Sequence, residues 1–113
     1  MTMKLPGYWT ISAGEFEIIS IDGTDWLDDG ELFDSGETVS FTELTTANLT
    51  LANKAVNAAE YVDSHTGRTV AIGKGLQCSV TTTTPGTYEI EFSATTTNSI
   101  PRVVKKKFEL RVE

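Results

Sequence analysis

The chain is poor in residues that carry covalent or metal chemistry. It has one cysteine, Cys78, and one histidine, His65, among 113 residues. A single cysteine cannot form an internal disulfide, so packing alone has to hold the core, as suits a reducing compartment. No apolar run approaches the roughly 20 residues that cross a membrane, and the start of the chain lacks the pattern of a secretory signal. We therefore expect a soluble, unprocessed protein made in the cytoplasm.

Basic side chains are also scarce. Nine Lys and Arg residues stand against sixteen Asp and Glu residues, which gives a net charge of −7. A protein with this balance lacks the positive surface that binds the phosphate backbone of nucleic acids. We expect neither a nucleic-acid partner nor a membrane partner.

The negative charge is concentrated in one segment. Between Glu15 and Glu37 there are nine carboxylates and no Lys or Arg, whereas Lys105-Lys106-Lys107 lies near the other end of the chain. Blocks of charge usually form solvated faces, which is the first interpretation. The second is that an acidic face and a basic face let copies of the chain, or unlike partners, dock through complementary potentials.

Strand-forming residues are abundant. Eighteen residues are Thr, and β-branched and aromatic residues are spread along the chain. From Thr87 to Thr97, and again over residues 102–112, apolar and polar residues alternate, which predicts strands with one buried and one solvated face. The connection of residues 98–101 is rich in turn formers and predicts an antiparallel hairpin.

The hairpin has a definite expected register. Pairing that is symmetric about Ser99 places Glu91 opposite Lys107 on the solvated face, as a cross-strand charge pair. It also places Lys106 beside Phe92 on the apolar face. Either the stem of Lys106 covers apolar surface while its amine reaches the edge, or a bulge shifts the register there.

Shorter runs of the same kind lie upstream. Leu76, Cys78 and Val80 alternate with polar residues, which predicts that Cys78 is a small core residue. Residues 53–61 favour an edge strand and a turn, although their alanines also allow a short helix. Seven or eight short strands result, with the spacing of a sandwich. We predict an all-β sandwich over residues 15–113, preceded by an N-terminal arm over residues 1–14.

One local motif indicates the kind of sandwich. The segment from Thr84 to Tyr88 is similar to the start of strand F in immunoglobulin-like domains, where a tyrosine at the corner binds back to upstream backbone. In antibody-type domains a cysteine follows two residues later, and here that residue is Ile90. The similarity is therefore to immunoglobulin-like sandwiches without a disulfide, and the fold that we predict for residues 15–113 is an all-β, immunoglobulin-like β-sandwich of about seven to eight strands.

Few residues have the pattern of a catalytic or metal site. His65 lies in the polar turn from Asp63 to Gly67, without the cysteine or serine motif that would make it a catalytic base. The carboxylates between Asp22 and Glu31 are oxygen ligands of the kind that Ca²⁺ takes, but their spacing is not that of an EF-hand loop. We predict that the chain is not an enzyme and has no cofactor and no metal site.

Three aromatic side chains are the candidate partner contacts. Tyr8 and Trp9 lie in the N-terminal arm, and Trp26 lies in the acidic segment. Because tryptophan is usually well buried, one interpretation is that Trp9 and Trp26 fold onto the end of the sandwich and close its core. The other is that Tyr8, Trp9 and Trp26 contact a partner protein, since tyrosine and tryptophan are favoured interface anchors.

Three further features occur together in residues 15–113. A run of strand formers ends in Asp25-Trp26-Leu27-Asp28-Asp29-Gly30-Glu31, a strand follows Gly36-Glu37-Thr38-Val39, and the last hairpin begins at Gly86-Thr87-Tyr88 with Thr95-Thr96-Thr97 before its turn. In these features the chain resembles the small immunoglobulin-like structural proteins of the head–tail region of tailed phages and prophages, including the fiber–tail adaptor proteins. It departs from them in the turn from Asn98 to Pro101, which lacks the family's glycine, and in the unmatched segment from Met1 to Ser12.

The resemblance implies a function without catalysis. It implies a component of a phage or prophage particle that binds other structural proteins or copies of itself, around a ring, and that is associated with the virion after synthesis. No active-site residue is carried over. The alternative is a stand-alone immunoglobulin-like binding module of a bacterial surface or carbohydrate-active system. Such a module would be expected to have a signal sequence or a flanking domain.

Overall fold

The computed structural model describes residues 3–34, 38–46, 48–98 and 100–113, with side chains from residue 9 onward. The side chain of Tyr8, the Gly36-Glu37 pair and Ser99 lie outside the described residues. Within them the regular structure is a single 3-10 turn at Thr24–Trp26 and nine strands: β1 (Met3–Ile11), β2 (Phe16–Asp22), β3 (Ser40–Glu43), β4 (Thr50–Val56), β5 (Tyr61–Val62), β6 (Thr69–Val70), β7 (Gly75–Thr81), β8 (Gly86–Thr95) and β9 (Val103–Val112). The prediction of an all-β fold is confirmed, with nine strands instead of seven or eight.

The nine strands form three sheets. A four-stranded sheet has the order β1-β9-β8-β3, a three-stranded sheet has the order β2-β7-β4, and β5 and β6 pair as a short hairpin. Strand β1 runs parallel to β9, and the other pairs are antiparallel. The described residues include no helix with the length and apolar character that a membrane crossing requires.

The register of the β8–β9 hairpin is the one that the sequence predicts. Glu91 lies opposite Lys107 and Phe92 lies opposite Lys106, and no bulge interrupts the pairing. Lys106 is half-buried, and its Nζ atom lies 5.7 Å from the centroid of the Trp26 ring. Of the two alternatives for Lys106, the structure has the first, in which the stem covers apolar surface and the charge is placed over an aromatic face.

The N-terminal segment differs from the expected arm. Residues 3–11 form β1, an edge strand of the four-stranded sheet. Lys4 pairs with Lys107 and Tyr8 with Glu109, so the register shifts between them. That shift accommodates Pro6, because proline cannot donate to a ladder and is tolerated at edges and bulges. The same Pro-Gly pair interrupts the alternation in the sequence and hides the strand.

One hydrophobic core cluster contains residues of both larger sheets. Phe41, Phe92 and Phe108 come from the four-stranded sheet, with ring centroids 5.8–6.5 Å apart. The three-stranded sheet contributes mainly Ile19, Ile21, Leu76, Cys78 and Val80. Cys78 is completely buried, and burial raises the pKa of its thiol to about 12, so it remains a neutral core residue.

The corner before β8 has the predicted hydrogen bond. The Tyr88 hydroxyl donates to the backbone oxygen of Thr84 over 2.6 Å. Tyr88 is itself buried in the core cluster. The bond therefore fixes the loop between β7 and β8 against the end of the core.

Candidate functional site

The two tryptophans meet on one side of the core. The Trp9 ring on β1 lies 4.9 Å from the Phe108 ring, and the Trp26 ring in the 3-10 turn lies 5.6 Å from the Phe92 ring. Both are half-buried and pack against the core cluster. This packing supports the interpretation that they close the core. The side chain of Tyr8, the third candidate contact, lies outside the described residues.

Trp9 and Trp26 also line a common pocket of about 260 Å³, which we call the tryptophan cleft. Its walls come from β1, from the end of β2 with the 3-10 turn, and from the turn between β5 and β6. The lining residues are Trp9, Ile21, Asp22, Asp25, Trp26, Asp63, His65, Thr66 and Arg68.

Arg68 ties the β5–β6 hairpin to the end of β2. Its Nε and Nη2 atoms lie 2.7 and 2.6 Å from Asp22 Oδ2, and its Nη1 donates to Asp25 Oδ1 over 2.9 Å. The other Asp22 oxygen accepts bonds from the backbone N–H and hydroxyl of Thr24. Burial opposes ionisation of Asp22, but the bonds from Thr24 and Arg68 outweigh it and hold the pKa of Asp22 below its ordinary value. These bonds to Asp25 and Asp22 also raise the pKa of Arg68.

Asp63 organises the turn that forms the opposite wall of the cleft. Its Oδ2 accepts bonds of 2.9 Å from the backbone N–H and the hydroxyl of Thr66. Gly67, at φ +73°, closes the turn by donating its N–H to the Asp63 carbonyl. Asp63 is only 5 % exposed. The turn also places the His65 ring 4.4 Å from the Trp9 ring.

A second, smaller pocket of about 160 Å³ runs beside β2, and we call it the edge pocket. It shares Trp9 and Asp63 with the tryptophan cleft and is also lined by Ile18, Ile19, Ser20, Tyr61, Val62 and Ser64. The Tyr61 hydroxyl is buried beside Gly75, where an added Cβ would lie 2.6 Å from it. This hydroxyl has no hydrogen-bond partner in the described part of the chain. Burial, with the nearby charges of Asp22 and Asp63, raises the pKa of Tyr61.

The outer face of the three-stranded sheet has nine uncharged positions, which we call the neutral face, and the exposed Lys54 lies beside them in the bulge between Ala52 and Ala55 of β4. Phe16 and Ile18 are 63 % and 65 % exposed there. Each row across the sheet has one residue from β2, one from β7 and one from β4. The rows are Phe16, Thr81 and Thr50; Ile18, Ser79 and Ala52; and Ser20, Gln77 and Ala55. Among the described strands β2 pairs only with β7, so its other edge is open.

The outer face of the four-stranded sheet carries paired charges, and we call it the charged face. Lys105 Nζ lies 3.6 Å from Glu91 Oε1, and Lys107 Nζ lies 3.7 Å from Glu89 Oε1. The ion pairs therefore run diagonally, although Glu91 and Lys107 are opposite in register. Arg111 pairs with Glu109 over 3.3 Å on the same face.

The acidic segment is more than a solvated loop. Glu31 is 1 % exposed and accepts hydrogen bonds from Arg102 and Asn98. The bonds from Arg102 outweigh the effect of burial and lower the pKa of Glu31 to about 2. Arg68 and Arg102 thus neutralise carboxylates of a segment that has no basic residue of its own. Over the residues that the structure covers, no three His, Cys, Asp or Glu side chains converge as a metal site.

The sequence identified two members of the tryptophan cleft and missed its polar wall. Trp9 and Trp26 were candidates, and the structure brings them together. Arg68 gave no signal, because nothing local indicates that the β5–β6 hairpin folds back onto Asp22 and Asp25. Asp63 was visible only as part of a polar turn.

Comparisons with known proteins do not assign a family. No protein-family model and no curated protein matches the chain. Six solved chains are similar in structure. One is a nucleoside hydrolase-related hypothetical protein from Saccharophagus degradans that is associated with carbohydrate metabolism, with a TM-score of 0.47 and 13 % identity. The match covers 99 % of this chain and 22 % of that one. Another is Amebosin, with a TM-score of 0.41, 18 % identity and coverage of 100 % and 99 %. These similarities are too weak to assign a function.

Proposed function

We propose that the chain is a non-enzymatic, protein-binding structural component of a phage or prophage particle, built as an immunoglobulin-like β-sandwich. The resemblance of its sequence to head–tail structural proteins supports its assignment to a phage or prophage particle. Three structural observations support the fold and the binding role. They are the strand order, the use of the polar groups in the tryptophan cleft, and the neutral face beside an open strand edge.

The strand order supports the immunoglobulin-like sandwich. The orders β9-β8-β3 and β2-β7-β4 correspond to the G-F-C and B-E-D strands of that fold. Strand β1 extends the first sheet beside β9, and the β5–β6 hairpin is an insertion between the strands equivalent to D and E. The bond from Tyr88 to Thr84 has the geometry of the tyrosine corner.

The polar groups of the tryptophan cleft support a role without catalysis. Catalysis needs a nucleophile beside a base, or carboxyl groups poised to exchange protons. Here both oxygens of Asp22 accept bonds from Thr24 or Arg68, and Arg68 is engaged by Asp22 and Asp25. The thiol of Cys78 is buried in the core. These groups hold the hairpin in place.

The observation that carries the proposal is the neutral face beside the open edge of β2. Exposed apolar side chains on an edge strand mark a surface for pairing with another chain, since unpaired backbone groups accept a further strand. With a net charge of −7, two copies repel each other, whereas a basic partner is attracted. The occupant that we propose is an extended segment of an unlike particle protein, apolar on one face and basic elsewhere.

A peptide probe tests this docking mode. A short peptide of alternating valine and lysine is added to the full chain, and backbone hydrogen exchange is followed at residues 18–20. We expect slower exchange of the β2 amides when the peptide is bound. Ile18→Glu should abolish this protection, although it adds a negative charge that would strengthen any general attraction for lysine.

Val103→Glu is the matched control, because Val103 is 68 % exposed and lies on the opposite sheet. It should leave the protection unchanged. Protection that survives Ile18→Glu would overturn the docking mode. So would light scattering that shows a dimer of the chain alone which Ile18→Glu dissociates, since a second copy would then be the occupant.

The assignment to a particle is tested by measuring the protein composition of purified particles. Mass spectrometry of purified particles of the phage or prophage that encodes the chain should detect it at a stoichiometry that matches a ring. Its absence from intact particles would contradict the particle role, while the docking result would stand independently.

A further inference from the structure

We propose that the bulge in β4 blocks strand addition at that edge of the three-stranded sheet, so that a docked segment pairs only with β2. The inference rests on the proposed function, because it explains why the partner strand has a single place to dock. The sheet has the order β2-β7-β4, so each outer strand has an edge that pairs with no other described strand. An open edge accepts an extended chain unless its geometry or its charge prevents the pairing. The two edges differ in both respects.

The backbone of β2 is regular and that of β4 is not. Both strands have seven residues, and β2 pairs with β7 in an unbroken register over its whole length. In β4 the register shifts between Ala52 and Ala55. Two residues, Asn53 and Lys54, lie there opposite the single Cys78 of β7. A bulge of this kind bends the strand and increases its twist, which turns the edge away from an added strand.

Asn53 holds the bulge in place. Its φ of +52° lies in the left-handed region, which asparagine tolerates better than most residues. An added antiparallel strand needs extended backbone with φ of about −140°, and Asn53 does not adopt it. The Asn53 Nδ2 donates to Ser79 Oγ over 3.0 Å, and that hydroxyl donates to the Ala52 carbonyl over 3.0 Å. Since Ser79 is only 2 % exposed, these bonds anchor the bulge to a buried residue of the middle strand.

The two edge strands also differ in charge. Strand β2 contains Glu17 and Asp22 and no basic residue, whereas β4 contains Lys54, which is exposed, and no acidic residue. Arg68 pairs with Asp22, so the difference in sign depends mainly on Glu17 and Lys54. A basic partner segment is therefore attracted to β2 and repelled by β4.

The bulge has a separate consequence for copies of the chain. Without it, the opposite charges of Lys54 and Glu17 would favour pairing between β4 of one copy and β2 of the next. That contact is head-to-tail and can grow into filaments. The geometry of the bulge opposes a second copy, and the charge of Lys54 opposes a basic strand. The chain therefore has one place, at β2, for one partner strand.

The test compares two variants that differ only in Asn53. The first carries Lys54→Val and keeps the bulge. The second carries Lys54→Val together with deletion of Asn53, which restores a single residue opposite Cys78. The probe is a neutral peptide of alternating valine and threonine, so that charge does not determine which edge it pairs with. Backbone hydrogen exchange is followed in β2, β4 and β7 of the full chain, and slow exchange of the β7 amides shows that the fold is kept.

We expect the peptide to slow exchange of the β2 amides in the parent chain and in both variants. Exchange of the β4 amides should slow by about tenfold in the deletion variant alone. Protection of β4 in that variant that rises with protein concentration in the absence of peptide would also support the inference, because a second copy would then occupy the restored edge.

Protection of β4 by the peptide in the parent chain or in Lys54→Val would overturn the inference, since the bulge would then not block the edge. This comparison holds even if the deletion variant does not fold. A folded deletion variant whose β4 amides exchange as fast as those of Lys54→Val would overturn it as well. If β4 is protected only in the deletion variant and β2 in none, the proposed docking mode fails and the role of the bulge stands. If β2 and β4 are both protected in the parent chain, the docking mode stands and this inference fails.

Discussion

The outer faces of the two larger sheets differ in charge although the same alternation of residues builds both. On the charged face, Lys105 and Lys107 are each paired with a glutamate of β8. On the neutral face, the equivalent outward positions include exposed Phe16 and Ile18. Charged side chains discourage further pairing of a sheet, and neutral ones permit it. The proposed docking mode depends on this difference, since it assigns the contact to the neutral face and not to the charged one.

The largest expected effect is a difference in unfolding free energy between removing a buried ring and removing an exposed ring from the sheets. Phe108→Ala removes a ring that is fully buried and should lower the free energy of unfolding by about 3–5 kcal/mol. Phe16→Ala removes a ring from the neutral face and should change it by less than about 0.5 kcal/mol. Urea unfolding measures both. A large loss with Phe16→Ala would show that the neutral face is structural, and the contrast between the sheets would disappear.

The next effect concerns the segment that joins the two sheets. Phe33 bridges to Thr96 after β8 and donates its N–H to Gly73 before β7, and Glu31 lies two residues earlier. The pKa of Glu31 is lowered from 4.5 to about 2, so its ionised form favours the folded state. That stabilisation is fully present above pH 4.5 and is lost as the pH falls toward about 2.

Glu31→Gln removes this ionisation and should flatten the fall of the unfolding free energy between pH 4.5 and about 2. Urea midpoints across that range measure it, with Asp29→Asn as the control that keeps the slope of the parent chain. An unchanged slope in Glu31→Gln would mean that the pair between buried Glu31 and exposed Arg102 does not hold the sheets together at this end.

A smaller effect compares two tyrosines, one beside each sheet. Tyr88→Phe removes the bond to Thr84 and should cost about 1 kcal/mol. Tyr61→Phe removes a buried hydroxyl that has no partner among the described residues, so stability should be unchanged or increased. Thermal unfolding of the two variants in parallel checks the pair. Equal losses would indicate that the Tyr61 hydroxyl is bound after all.

The sequence was sufficient where structure depends on local alternation. The pairing of Glu91 with Lys107 and of Phe92 with Lys106 could be predicted, because a two-residue period and a short turn fix the register of a hairpin. The buried Cys78 followed from the same pattern. Strand β1 could not be predicted, since Pro6 and Gly7 interrupt its alternation and parallel pairing with the last strand leaves no local signal.

The tryptophan cleft was beyond prediction for a different reason. Its residues run from Trp9 to Arg68 and meet only when the β5–β6 hairpin folds onto the end of β2. The acidic segment contains nine carboxylates that could pair with Arg68. The pairs that form, with Asp22 and Asp25, are determined by the tertiary structure. The composition indicates that ion pairs form with the acidic segment, but only the fold determines which residues pair.

The smallest effect tests whether the charged face contributes to stability at all. Lys107 and Glu89 are both partly exposed and 3.7 Å apart, and pairs of this kind contribute roughly 0.2–1 kcal/mol. The coupling energy from Lys107→Ala, Glu89→Ala and the double variant should therefore be about 0.5 kcal/mol and should shrink at high salt. A coupling well above 1 kcal/mol that resists salt would make the charges structural. A small, screened coupling would leave them the role of keeping this sheet from pairing, in contrast to the open edge of β2.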